Sequence, residues 1–282
     1  METKNLLKAV LFPCLLIFAG YSPLANNIAV SNISLAGHNA VNHFNMVKFD
    51  ITWENSLRND IAGTGNAVPY NWDAAWVFVK YRIDSGIWQH AWLDSAGHIN
   101  LSGSTIATGL LNPDQIFNTT SNPGLGVFIY RDANGTGTLA IAGVQLRWNY
   151  GANGVNDSAT IDIRVYAIEL VYVPQGGFYA GSGGTETSAF YKFPATTDPY
   201  QITSEDEITV GTETDNIFYN YSIYGGDQLG PIPAAFPKGY NAFYSMKYEI
   251  SQQGYVDFLN SLTQTQANTR KYTGATHRYA IF

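Results

Sequence analysis

Cysteine is almost missing from this chain, which has a single one, Cys14, among its 282 residues. An intramolecular disulfide needs two cysteines, so no disulfide can stabilise this fold. Cys14 also lies in the apolar N-terminal run, within a segment that we expect to be removed. The mature protein must therefore be held together by an ordinary hydrophobic core.

Charge is also scarce, because charged residues make up only 13% of the chain. The 15 Lys and Arg residues are outnumbered by 22 Asp and Glu residues, which gives a formal net charge of -7. Phosphate backbones repel a chain of this sign, and no basic cluster reverses the sign locally. Nucleic acid is therefore excluded as a partner, and a long-helix protein is disfavoured.

The apolar N-terminal run, residues 9–20, is too short to span a bilayer comfortably. It follows Lys4 and Lys8 and precedes a small-residue sequence that ends at Ala25. This arrangement predicts a secretory signal peptide over residues 1–25, and we expect no transmembrane span after its cleavage. The expected location is the periplasm, the cell surface or the extracellular space, of a bacterium.

Short alternating runs separated by turns fill residues 26–166 and predict a β-sandwich domain. Two strands each place apolar residues on one face, at residues 46–53 and 76–83; these faces are Val47, Phe49, Ile51 and Trp53, and Val77, Val79, Tyr81 and Ile83. Further strands are predicted at residues 88–93, 126–131, 139–150 and 160–173, and residues 131–137 indicate a hairpin connection. All six tryptophans lie in this region, so we expect it to have its own core.

Residues 167–282 differ in character from the preceding part. Residues 185–237 are rich in Gly, Pro, Thr, Asn and Tyr, and they predict mostly loops. Residues 251–262 predict one amphipathic helix, which Ser251 caps and which Gly254 weakens by roughly 1 kcal/mol. The boundary between the two parts is expected at about Tyr166.

Two segments of this second part carry a resemblance: residues 170–182 read LVYVPQGGFYAGS, and residues 248–260 read YEISQQGYVDFLN. Together they resemble the opening of the formylglycine-generating-enzyme family, also called sulfatase-modifying factors, with its MVYVPGGxFxMGS strand and its YEVTNxxYxxFL helix. Ala180 replaces the usual Met, and Gly254 interrupts the helix. The resemblance implies that residues 167–282 form part of such a domain, whose α+β fold resembles C-type lectins.

Catalytic relatives bind copper through a downstream cysteine pair that is not present in this chain, so we expect no cofactor here. The predicted fold is mainly β with some α: a β-sandwich followed by a truncated sulfatase-modifying-factor-like domain. The predicted function is binding or surface scaffolding without catalysis, with an unknown protein or glycan as partner. One alternative is a fragment of an oxidase whose cysteines lie beyond Phe282, and another is a carbohydrate-binding sandwich module. Residues 182–282 are expected to be loosely packed and protease-sensitive.

Candidate binding residues come from one row, Trp88, His90 and Trp92, which alternate residues of a strand would place on the same face. An exposed row of this kind could stack on sugar rings, whereas a buried row is sandwich core, and the core interpretation is favoured. Trp72 and Trp76 carry the same two interpretations. The histidines lack zinc spacing and are predicted to be surface or hydrogen-bonded residues; they are His38, His43, His90, His98 and His277.

Overall fold

The computed structural model describes residues 27–59, 71–108, 124–186, 189–219 and 230–271. These residues are mainly β, with 48% in strands and 7% in helices. In chain order the elements are β1 (Ala29–Asn39), β2 (Phe44–Asn59), β3 (Asn71–Ile83), β4 (Gln89–His90), β5 (Ser104–Thr108), β6 (Val127–Arg131), β7 (Gly135–Trp148), β8 (Ile161–Val173), β9 (Phe178–Ala180), β10 (Phe190–Lys192), β11 (Tyr200–Ile202), β12 (Ile217–Tyr219), β13 (Phe243–Met246), α1 (Gln252–Leu259) and α2 (Gln264–Arg270).

Nine strands form one curled antiparallel sheet. Strand β2 lies between β1 and β7, and β3 lies between β8 and β6, with β5 beyond β6 and β13 beyond β8. Strands β2 and β3 pair with each other only at Arg58↔Trp72 and Asn59↔Asn71. The sheet turns at this corner, so the faces of the β2 side and the β3 side contribute to the same core.

The core is built by the alternation that the sequence predicts. Every second residue of β2 from Val47 to Trp53 is fully buried, as are Val77, Val79 and Tyr81 of β3. Ile83, at the end of β3, is 38% exposed. Strand β7 pairs with β2 and adds further core side chains on the same face, which are Leu139, Ile141, Val144, Leu146 and Trp148.

The sequence predicts that the strands at residues 126–131 and 139–150 pair as a hairpin, and this prediction is wrong. Strand β6 pairs with β3 and β5, whereas β7 pairs with β2 from Asn45↔Trp148 to Arg58↔Gly135. The turn after Arg131 therefore carries the chain from the β3 side of the sheet to the β2 side. Local turn residues mark where a chain reverses but do not specify the partner of the next strand.

The predicted boundary at Tyr166 lies inside a strand. Strand β8 pairs with β3 in an unbroken register from Ile83↔Ile161 to Asp73↔Val171. The final residues of β8 also pair with β13, from Met246↔Leu170 to Phe243↔Val173. The last strand of the first part is therefore also the strand on which the second part builds.

The remaining strands are short and enclose a second, small apolar cluster. Strand β9 pairs with β11 and β10 with β12, in a region where the sequence predicts mostly loops. The buried residues of this cluster are Ile202, Ile208 and Ile217. The Glu205 carboxylate accepts hydrogen bonds from the backbone N–H groups of Lys238 (2.6 Å) and Asn241 (2.9 Å), which lower its pKa.

Both helices have side-chain caps at their N-termini. Ser251 accepts a hydrogen bond from the N–H of Gly254 at 3.0 Å, which confirms the predicted cap of α1. Helix α2 begins with a capping box between Thr263 and Gln266 and was not predicted. None of the helices in the described ranges has the length and apolar composition that a membrane crossing requires. The predicted signal peptide, residues 1–25, lies outside the described residues.

The substitution Leu146→Ala tests the core. It removes a fully buried side chain between the two sides of the sheet, and we expect the free energy of unfolding to fall by about 3 kcal/mol. Val41 is 85% exposed, so Val41→Ala should change it by less than about 0.5 kcal/mol. Urea unfolding of the two variants measures both changes in the free energy of unfolding. An equal loss of stability in the two variants would contradict this assignment of the core.

Candidate functional site

The paired strands β3 and β8 have a second face, turned away from the core, which we call the outer face. Its residues alternate with those of the core and include Trp72, Trp76, Phe78, Lys80, Arg82, Arg164, Tyr166 and Tyr172. Cross-strand neighbours stack: the rings of Phe78 and Tyr166 lie 5.1 Å apart, and those of Trp72 and Tyr172 lie 4.0 Å apart. Aromatic pairs of this kind stabilise a sheet beyond simple burial.

One end of the outer face is covered by β13. The indole N–H of Trp72 donates to the hydroxyl of Tyr244 at 3.1 Å, and the Tyr244 ring stacks on Phe128 at 4.2 Å. Burial raises the pKa of Tyr244. The ring centres of Trp76 and Phe128 lie 4.7 Å apart. Trp76 also lies against Gly126, where an added Cβ would come within 2.6 Å of the Trp76 ring. This end of the face is packed and offers no free aromatic platform.

The other end of the outer face is centred on Trp88. The guanidinium carbons of Arg82 and Arg164 lie 4.8 Å and 4.4 Å from the centre of its ring. The two arginines come from neighbouring strands, because Arg82 is opposite Asp162 and Arg164 is opposite Lys80. Arg82 also forms an ion pair with Asp162 at 2.8 Å. A chain with a net charge of -7 thus places two cations on one indole.

Strand β4 adds His90 to this site. His90 is opposite Lys80, and its ring lies 5.7 Å from that of Phe78. Burial, together with the positive charge of Lys80, lowers the pKa of His90. Its Nδ1 atom is buried and has no hydrogen-bond partner among the described residues. We call the group of Arg82, Trp88, His90 and Arg164 the Trp88 patch.

The three predicted candidates, Trp88, His90 and Trp92, lie on the same side of their segment, but this side does not face the core. Ala91 and Leu93 are fully buried, whereas Trp88, His90 and Trp92 are half-buried and belong to no core cluster. The row therefore lies outside the core cluster, although its side chains are not fully exposed. Each side of this segment mixes polar and apolar residues, with Gln89 on one side and His90 on the other, so the alternation alone could not tell which side faces inward.

Lys80 and Asn153 hold the surroundings of the patch in place. The buried Lys80 ammonium donates to the carbonyl of Ser261 at 3.2 Å, and burial lowers its pKa. The Asn153 side chain accepts from the backbone N–H of Trp92 at 2.9 Å and from the indole of Trp148 at 2.7 Å, and it donates to the carbonyl of His90 at 3.1 Å. These bonds fix the segment from residue 90 to residue 92 against the core.

The other described histidines lie elsewhere. His43 bonds Asp157 at 2.8 Å, and Asp157 also accepts from the hydroxyl of Tyr150 at 2.7 Å. Burial, aided by Asp157, raises the pKa of Tyr150 to about 12. His38 stacks on Tyr150, and His98 accepts the backbone N–H of Arg147 at 3.1 Å. His277 lies outside the described residues. The part of the chain that the structure describes contains no group of three or more His, Cys, Asp or Glu side chains placed to hold a metal ion.

The two segments that carry the family resemblance are brought close together. Residues 170–173 of the first segment pair with β13, which directly precedes the second segment. The first segment therefore lies beside the strand that leads into the second segment, although about 70 residues of chain separate residues 170–173 from β13.

Comparison with known proteins gives no further guide, since no family model, no curated protein and no solved structure matches this chain. The residues of the site itself must therefore support any functional inference.

The lowered pKa values of His90 and His98 predict a loss of stability in mild acid. Burial is the main cause in both cases, and the ordinary value is 6.5. Below that value the unfolded chain binds protons that the folded chain does not, so the stability that the neutral rings contribute is lost as the pH falls through 6.5 towards the folded pKa values.

We therefore expect the urea midpoint to fall between pH 7.5 and pH 5.5, and His90→Gln should remove part of this dependence. Chemical shifts of the His90 ring give its pKa directly. A value at or above 6.5 in the folded protein would contradict the burial of this side chain.

Proposed function

We propose that this chain is an exported, non-catalytic binding protein whose Trp88 patch takes up a glycan. The observation that carries the proposal is the orientation of one segment. Ala91 and Leu93 fill the core, so Trp88, His90 and Trp92 are left on the opposite side, where Arg82 and Arg164 lie against the Trp88 ring. This arrangement favours the carbohydrate-binding alternative over a purely structural role for the row.

The chemistry of the patch suits a sugar ring. A pyranose has apolar C–H groups that pack on an aromatic ring and hydroxyl groups that need hydrogen-bond partners. Trp88 supplies the ring, and the guanidinium groups of Arg82 and Arg164 supply donors.

The finer architecture that we propose is a β-sandwich over residues 26–166 followed by a partial sulfatase-modifying-factor-like domain over residues 167–282. The curled sheet with one shared core supports the first part. The pairing of residues 170–173 with β13 supports the second, since β13 ends two residues before the second segment that resembles the family. Export rests on the signal peptide predicted at residues 1–25.

Non-catalytic action is proposed because the copper chemistry of catalytic relatives needs thiolate ligands, and this chain has only Cys14. The second part then acts as a support for the outer face. It contributes Tyr244, which covers one end of that face, and Ser261, which holds Lys80 near the patch.

The substitution Trp88→Ala tests the binding proposal. We expect it to weaken the binding of the full chain to a soluble glycan by about tenfold or more, because a desolvated aromatic contact is lost. Affinity electrophoresis against a panel of soluble polysaccharides, followed by calorimetry on those that retard the protein, measures the effect. Tyr179→Ala is the matched control, since Tyr179 is an exposed aromatic residue of β9 outside the patch.

Two results would overturn the proposal. One is the absence of retardation by every polysaccharide of the panel. The other is binding that Trp88→Ala and Tyr179→Ala weaken to the same extent.

A further inference from the structure

A lysine and two carboxylates meet inside the sheet, at the end of the core away from the Trp88 patch. The ammonium nitrogen of Lys247 lies 2.7 Å from Oδ2 of Asp73 and 2.6 Å from Oε1 of Glu169. We call these three residues the buried triad. Asp73 belongs to β3 and Glu169 to β8, and Lys247 directly follows β13. The backbone N–H of Lys247 donates to the carbonyl of Glu169 at 3.1 Å and continues the pairing of β13 with β8.

The triad is withdrawn from water. The side chains of Asp73 and Glu169 are 1% and 4% exposed, and that of Lys247 is 18% exposed. Two carboxyl groups face a single ammonium group at a place where charge is costly. Burial by itself lowers the pKa of Lys247, but the hydrogen bonds and charges of Asp73 and Glu169 outweigh it and raise the pKa. The resting triad is therefore an ion pair.

The Asp73 carboxyl group is held in one orientation. Its Oδ1 atom accepts a hydrogen bond from the hydroxyl of the fully buried Ser56 at 2.9 Å, and Nε of Arg131 donates to the oxygen of Ser56 at 3.0 Å. The other oxygen faces Lys247. That oxygen lies 2.7 Å from the nitrogen, so the fold already holds the amine and the carboxyl group in contact.

We propose that Lys247 and Asp73 become joined by an intramolecular amide bond, with Glu169 as the catalytic acid and base. Glu169 takes a proton from the Lys247 ammonium group and passes it to the Asp73 carboxylate, so that a neutral amine attacks the carbon of a neutral carboxylic acid. Glu169 then moves a second proton from the nitrogen to the hydroxyl oxygen of Asp73.

That oxygen departs as water, carrying two of the three ammonium protons, while the third stays on the amide nitrogen. One C–N bond forms and one C–O bond breaks. Nothing is oxidised or reduced, and Glu169 ends as it began.

The site favours this reaction for two physical reasons. The reacting groups are held in contact by the fold, which removes the entropic cost of bringing them together. The product replaces a buried cation and a buried anion by a neutral amide, which relieves the desolvation of both charges. By contrast, the ion pair of Lys192 with Asp198 at 3.0 Å is exposed, so water stabilises its separate charges and competes for the carboxyl group.

The bond would join positions that are 174 residues apart in the chain. It would tie β3 to the segment that leads into α1 and α2, and it would do so without cysteine. A cross-link that closes so long a loop restricts the unfolded chain strongly. Its loss should lower the Tm by at least about 5 °C.

Mass spectrometry of the purified full chain tests the proposal. For its determined N-terminus, the intact mass should be lower than the sequence mass by one water molecule. Tryptic digestion should yield a branched peptide that joins the peptide of Asp73 to the peptide of Lys247. Lys192 and Asp198 serve as the internal control and should appear in linear peptides.

Two variants separate the roles of the residues. Lys247→Arg keeps a cation but has no amine that can form this bond, and Glu169→Gln keeps the shape but cannot take a proton; both should show the full sequence mass. Circular dichroism checks that each variant is folded. Since the wild-type measurement does not depend on either variant, the proposal stays testable even if both unfold.

The result that overturns the proposal is a wild-type chain of full sequence mass with trypsin cleavage after Lys247. A loss of water that maps to any other position, such as a dehydrated Asp elsewhere, also overturns it. A cross-link that forms equally in Glu169→Gln would refute the role of Glu169.

Discussion

The pairing of β3 with β8 is the constraint on which the rest of this structure depends. Because side chains alternate along a strand, this ladder presents one set of residues to the core and another to the outside. Val77, Val79 and Tyr81 point inward, whereas Trp72, Phe78 and Arg82 point outward. The outer aromatic rings, the two arginines around Trp88 and the carboxylates of the buried triad all owe their positions to this single register.

The same ladder links the two parts of the chain. Strand β8 completes the sheet that begins with β1, and it also receives β13 from the C-terminal part. Lys247 extends that contact into the interior through Asp73 and Glu169. Residues after position 240 therefore complete both faces of this ladder: Tyr244 covers one end of the outer face, and Lys247 completes the buried triad. The N-terminal sheet and the C-terminal segment depend on each other for burial.

Much of the fold could be predicted from the pattern of apolar residues. The inward faces of β2 and β3 were predicted because their alternation is strict, and Ser251 was recognised as a helix cap from its side chain. Partners of strands could not be predicted, since a turn such as the one after Arg131 is compatible with pairing to either side of a curled sheet. The boundary at Tyr166 follows from the change in composition there, which does not mark the end of a strand.

The candidate site was predicted in part. Trp88, His90 and Trp92 were recognised as a row, but Ala91 and Leu93, which alternate with it, are small or aliphatic and equally suited to a core. The direction of the row was therefore not determined. Arg82 and Arg164 were missed because they lie on other strands and meet Trp88 only through the register of β3 with β8. The buried triad was missed for the same reason, although an isolated Glu and Asp inside apolar strands was a signal that could have been followed.

The direction in which this row faces can be measured directly by hydroxyl-radical footprinting of the folded full chain, with the oxidised tryptophans located by peptide mass spectrometry. An outward row predicts that Trp88 and Trp92 are oxidised several times faster than Trp53 and Trp148, whose side chains are fully buried. Protection of Trp88 equal to that of Trp53 would contradict the account.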